Sequence, residues 1–199
     1  MASAPITRSS SAINTISDES DNIISGGTGA GGSNTNENGL TWEEKTSLDS
    51  EIESSEVHDK LGNLVVKFKG YRAKLIETEK YKFQQYTEKY KDPSVKPAHG
   101  CKQPDKVYIN QSTKKMYVLE MKYQNKSGSV CEKLQTGVFK KQHYNKMFPG
   151  YQVEYIFVLN NWFRENCEAE LEYLLPRIPI FLGEESTYKT NIISFMMEE

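Results

Sequence analysis

A mixed α/β domain, with a central β-sheet flanked by helices, is the fold class that this 199-residue sequence predicts. Three observations point to it. Residues 106–109 (Lys-Val-Tyr-Ile) and 116–119 (Met-Tyr-Val-Leu) are β-branched and aromatic runs split by polar residues 110–114, the pattern of a β-hairpin with a longer loop. Residues 151–159 alternate and then run apolar, as a central strand does. Around them lie segments with helical spacing, and no internal repeat is present.

In chain order, residues 1–39 are rich in Ser, Gly and Asn and predict a flexible N-terminal segment, with a domain over 40–199. Gly27-Thr28-Gly29-Ala30-Gly31-Gly32 fits G-x-G-x-x-G in form. No strand precedes it and no apolar helix follows at once, so it is rejected as a cofactor loop. Thr41 with Glu44 three positions on is a capping-box signature and predicts a helix start. Strands follow at 64–69 and 71–76, on either side of Gly70. Tyr81, Phe83, Tyr86 and Tyr90 mark a helix over 78–90, which Asp92-Pro93 ends. Beyond the hairpin, Ser127-Gly128-Ser129 breaks the chain. A helix over 130–148 then runs to Pro149-Gly150, followed by the strand at 151–159, a short helix at 167–175 and a last strand at 178–182. The remaining tail has no clear assignment.

Composition narrows the classes. The chain is 37% hydrophobic and 26% charged, an ordinary soluble balance. No apolar run approaches the roughly 20 residues of a membrane span, so no membrane partner is expected. Met1 to Ser25 lacks a basic region followed by an apolar stretch, which predicts no secretory signal and a cytoplasmic location. Cys101, Cys131 and Cys167 fit no zinc spacing, and reduced thiols are expected. His58, His99 and His143 are isolated, and no Ser-His-Asp or Cys-His motif is readable. The net charge of −2 conceals three blocks. Residues 1–60 carry 3 Lys/Arg against 11 Asp/Glu (−8), residues 61–150 carry 19 against 7 (+12), and residues 151–199 carry 3 against 9 (−6). A basic block suits a polyanionic partner, since phosphate contacts dominate nucleic-acid affinity; a solvated lysine face has the same composition.

Within that block, Pro104-Asp105 precedes the first hairpin strand and Glu120-Met121-Lys122 ends the second. Strand alternation puts Val118, Glu120 and Lys122 on one face and Tyr117, Leu119 and Met121 on the other. The antiparallel return brings 105 and 120 to one end of the sheet. Two carboxylates and an ammonium there could hold a hard divalent cation and position a water for phosphodiester cleavage. Solubility alone also explains a Glu-x-Lys triplet on a surface strand.

The longer string Glu120-x-Lys122-x-Gln124-x-x-x-Gly128-Ser129-x-x-Glu132-Lys133-Leu134, after Pro104-Asp105, resembles the PD-(D/E)XK nuclease superfamily, the fold of many Type II restriction endonucleases. Gly39-Leu40-Thr41-Trp42-Glu43 resembles an element that opens the first helix there. The resemblance covers most of the chain from about Gly31. It implies a restriction endonuclease-like core and catalysis by Asp105, Glu120 and Lys122. Mg²⁺ would be held by Asp105, Glu120 and the Met121 backbone carbonyl, with Glu43 as a further acid. Lys122 beside the cation would have its ammonium form disfavoured. Contacts to double-stranded DNA would come from Gln124, Ser129, Lys133, Lys140 and Lys141, and from Asn34 and Asn36 in a groove. The implied function is sequence-specific double-strand cleavage by a homodimer. The alternatives are another nuclease of this fold, acting in repair, in recombination or on RNA, or a nucleic-acid-binding protein without catalysis.

Overall fold

Seven strands form one sheet in chain order in a computed structural model that describes residues 32–127 and 129–198. They are β1 (Ile52–Val57), β2 (Leu64–Phe68), β3 (Lys74–Thr78), β4 (Lys106–Asn110), β5 (Lys115–Lys122), β6 (Gln152–Leu159) and β7 (Ile180–Leu182). β1 to β5 form an antiparallel meander; β5, β6 and β7 are parallel. The helices are α1 (Gly32–Thr46), α2 (Lys80–Tyr90), α3 (Val130–Leu134), α4 (Gly137–Met147), α5 (Asn161–Asn166), α6 (Glu168–Leu174) and α7 (Tyr188–Met197).

Both sheet faces are covered. Val107, Ile109, Met116, Val118, Tyr155 and Phe157 pack against Phe83 of α2, Leu134 of α3, Tyr144 of α4, Phe163 of α5 and Leu174 of α6. Tyr108, Tyr117, Leu119, Met121, Ile156 and Val158 pack against Trp42 of α1 and Ile192 and Met196 of α7. The sheet flanked by helices is the predicted class. Burial on both faces explains why β6 reads as an apolar run rather than an alternation. Among the described residues no helix is long and apolar enough to cross a membrane.

Several elements differ from the sequence expectation, each for a local reason. α1 begins at Gly32, so Thr41 and Glu44 lie inside the helix rather than at its start. Residues 71–73 stay outside the sheet. Gly70 has φ +81° and the Tyr71 N–H donates to Phe68 O at 3.2 Å, closing a turn that delays β3 to Lys74. The single helix expected over 130–148 is two. After Leu134 the Thr136 hydroxyl takes up the Lys133 carbonyl at 2.8 Å, and the chain restarts at Gly137. A Cβ on Gly137 would stand 2.7 Å from both Ile178 and Phe157, so the new helix starts where backbone packs directly on the core. β1 is exposed apart from Ile52 and is carried by its neighbours: Glu53 and Glu56 pair with Lys67 and Lys74 at 2.7 and 2.9 Å. Charges on an edge strand also discourage further pairing.

Gly183, just past β7, fixes how closely α1 approaches. A Cβ there would lie 2.5 Å from Thr46 Cγ2 and 2.9 Å from Trp42 Cζ2. Gly183→Ala is therefore expected to push α1 outward at a cost of about 2 kcal/mol, measured as a lower urea midpoint at unchanged m-value. An unchanged midpoint would show that α1 is not held this way.

The thiols are not all reduced. Cys131 of α3 and Cys167, at the start of α6, form a disulfide with Cα atoms 5.7 Å apart, and Cys101 is free and buried. Spacing could not reveal the pair, because 36 positions separate the two cysteines and only the packing of α3 against α6 joins them.

Candidate active site

The β4–β5 register pairs Lys106 with Leu119, so the next step along the ladder sets Asp105 opposite Glu120. Asp105 caps the strand end by accepting the Met121 N–H at 2.7 Å through Oδ2. Glu120 and Lys122 point to the face that carries α4, while Met121 turns into the core beneath α1. The side-chain alternation places the charges as expected.

Glu120 is the centre of the cluster, with a side chain 12% exposed. Its Oε1 receives two ammonium groups, Lys122 Nζ at 2.7 Å and Lys140 Nζ, from α4, at 3.3 Å. Lys122 Nζ also donates to the Met121 carbonyl at 3.3 Å. The two carboxylates are driven apart electrostatically. Burial and then the like charge of Glu120 push Asp105 up to about 6. Burial also opposes ionisation of Glu120, but Lys122 and Lys140 outweigh it and hold this carboxyl below the usual range. Burial would lower Lys122; Glu120 and Asp105 more than offset that and hold its ammonium above the ordinary lysine range. Beside a bound cation that ammonium would be disfavoured, whereas the protein's own carboxylates act in the opposite sense.

A cavity of about 170 Å³ opens beside Asp105, lined by Glu43, Asp49, Glu79, Lys106 and Met121 among others. Glu43 reaches it from α1, and its Oε2 takes Lys80 Nζ at 2.6 Å. Sequence reasoning missed Lys80. Its φ of +43° is uncommon for a residue with a side chain. Its N–H donates to Pro104 O at 2.9 Å, tying the start of α2 to the Pro-Asp step. Only a folded chain brings positions 43, 80 and 104 together, so no spacing signal existed.

The other expected site residues divide. The Gln124 side chain is engaged locally: its Nε2 donates to Lys126 O at 2.7 Å, and its backbone is held on both sides by Asn160, at 3.2 and 2.8 Å. Ser129 and Lys133 are exposed around α3. Lys141 is bound to Glu154 at 2.7 Å and to Arg177 O at 3.2 Å, away from Glu120. Lys140 is within the cluster rather than on the surface. The Asn34 and Asn36 side chains, and the glycine-rich stretch before them, lie outside the described residues.

The donors here are all oxygens: two carboxylates and the Met121 carbonyl. That set fits a hard cation such as Mg²⁺. Lys122 already rests a positive charge against two of them, Glu120 Oε1 and Met121 O. Among the described residues, the one set of three His, Cys, Asp or Glu side chains with donor atoms all within 4.8 Å is Cys131, Cys167 and Glu170, where the sulfurs are bonded to each other. Glu43 thus does not complete a three-carboxylate cluster with Asp105 and Glu120.

Neither a family model, nor a curated protein, nor a solved structure matches this chain.

Proposed function

We propose that this protein is a Mg²⁺-dependent endonuclease of the PD-(D/E)XK type that hydrolyses phosphodiester bonds in double-stranded DNA at a specific sequence. The observation that carries the reading is the meeting of Asp105, Glu120 and the Met121 carbonyl at one strand end, with Lys122 Nζ resting on two of those groups. Asp105, Glu120 and the Met121 carbonyl would hold Mg²⁺, which when bound supplies Lewis acidity to the phosphoryl oxygen and acidifies a water. Asp105 and Glu120 fix the ends of the donor set. Lys122 Nζ, freed from Glu120, would donate a hydrogen bond to the attacking water and hold it in line. The water oxygen bonds to phosphorus as the phosphorus–oxygen bond to the leaving group breaks; the water gives up its proton to solvent, and the leaving oxygen takes one from solvent. Lys133 and Lys126, exposed beyond β5 in the basic stretch, would meet the DNA backbone.

A two-fold homodimer at a palindrome is the arrangement that goes with this reading. Digestion of a mixed-sequence plasmid with Mg²⁺, with Ca²⁺ as a binding control, tests the reading. Discrete fragments are expected. A smear would point to a nuclease without sequence specificity, and binding without cleavage would point to a nucleic-acid-binding protein.

A further inference from the structure

We infer that Lys140 is a positioning residue for Glu120, a role that rests on the nuclease reading and assigns this lysine to the reaction rather than to the DNA backbone. The lysine belongs to α4 and its side chain is only 15% exposed. A buried ammonium is costly unless it is paired, and here the pairing is specific. Nζ lies 3.3 Å from Glu120 Oε1 and 5.5 Å from the centre of the Tyr155 ring.

The neighbouring backbone is shaped around it. Gly100 lies in the short turn His99–Cys101, and a Cβ there would stand 3.1 Å from Lys140 Cε and 3.7 Å from Nζ. Among the described glycines, Gly62 and Gly70 adopt a positive φ and Gly100 does not. Conformation therefore does not require glycine at 100, but a side chain there would crowd Lys140, which would have to shift by a few tenths of an ångström.

The consequence is directional. Lys122 and Lys140 both contact Oε1, and Oε2 takes no protein hydrogen bond among the described residues. Two ammonium groups approaching from different elements, β5 and α4, fix the rotation of the carboxylate. Oε2 is then the oxygen presented to a cation. Lys122 must leave Glu120 to act on water, and Lys140 then holds the carboxylate alone.

Four variants test this: Lys140→Met, which keeps the stem over Tyr155, Lys140→Arg, Gly100→Ala, and Gly100→Ala combined with Lys140→Met. The probes are a supercoiled mixed-sequence plasmid for Mg²⁺-dependent linearisation, and a duplex cut from it for binding in Ca²⁺ at several salt concentrations. Lys140→Met is expected to lower kcat roughly 10- to 100-fold through misplacement of Glu120. KM, the Ca²⁺-supported duplex Kd and its salt slope should stay unchanged, and Lys140→Arg should recover part of kcat. Gly100→Ala should lower kcat in the wild-type background and have no effect once Lys140 is Met. Should Lys140→Met not fold, Lys140→Arg and Gly100→Ala still report on the same contact. A weaker duplex Kd with a salt slope reduced by about one and intact kcat would make Lys140 a phosphate contact and overturn the inference. A lower melting temperature with unchanged kcat would overturn it as well. Wild-type protein that leaves the plasmid intact in Mg²⁺ would sink the nuclease reading, whereas cutting by wild type and Lys140→Met alike would sink this inference alone.

Discussion

Asp105→Asn is expected to reduce Mg²⁺-dependent cleavage by at least about 10³-fold while making the fold more stable at neutral pH. The loss follows from removing one of two anionic donors from the proposed cation site. The gain follows from the sign of the Asp105 shift. Burial and Glu120 raise its folded-state pKa from an ordinary 3.8 to about 6, so the folded protein holds this proton more tightly than the unfolded chain. The contribution is fully present below about pH 3.8 and is lost as pH rises through about 6. Above that, the ionised carboxylate costs the fold up to about 3 kcal/mol. Asparagine removes the charge and can still accept the Met121 N–H. In metal-free buffer the melting temperature of the variant should exceed wild type by roughly 5 °C at pH 7.5, with the difference vanishing near pH 4. A variant less stable than wild type at pH 7.5 would show that Asp105 is not held in this environment.

Reduction of the Cys131–Cys167 disulfide is the second large effect. The bond closes a loop of sequence separation 36 and joins α3 to the start of α6. Loop-closure entropy puts its stabilisation at about 4 kcal/mol, or on the order of 10 °C in melting temperature for a domain of this size. Thermal unfolding with and without a phosphine reductant measures it, with Cys131→Ser giving the same loss in the absence of reductant. The Asp105–Glu120–Lys122 cluster should persist in the reduced protein, because β4 and β5 hold it without α3. No shift on reduction would mean that the cross-link adds nothing to the packing of Leu134 and Leu174, both buried in the same core.

How much of this could be read beforehand depended on whether the cause was local. The β4–β5 hairpin was legible because period-two alternation is a local property, and it carried Val118, Glu120 and Lys122 to one face and Met121 to the other. β6 was legible from its apolar run. β1 was not: Ile52–Val57 is almost wholly polar and forms a strand because β2 offers an edge and Lys67 and Lys74 meet its acids. α7 carries a local signal as well: Tyr188, Ile192, Ile193 and Met196 recur at helical spacing and are buried. In the site, Asp105, Glu120 and Lys122 were accessible from spacing. The convergence of Lys140 on Glu120 and of Lys80 on Glu43 was not, because each spans a tertiary contact, over 20 and 37 positions. The lysines of the basic block divide by environment, which a charge count does not resolve: Lys141 and Lys106 are used in ion pairs with Glu154, Glu77 and Glu79.

The most direct measurement is plasmid linearisation by wild-type protein and Asp105→Asn side by side, in Mg²⁺ and in Ca²⁺. The account predicts discrete Mg²⁺-dependent cleavage by wild type, none by the variant, and duplex binding by both in Ca²⁺. Cleavage that survives in Asp105→Asn would contradict it, because the reaction would then not run through the carboxylates at the end of β4 and β5.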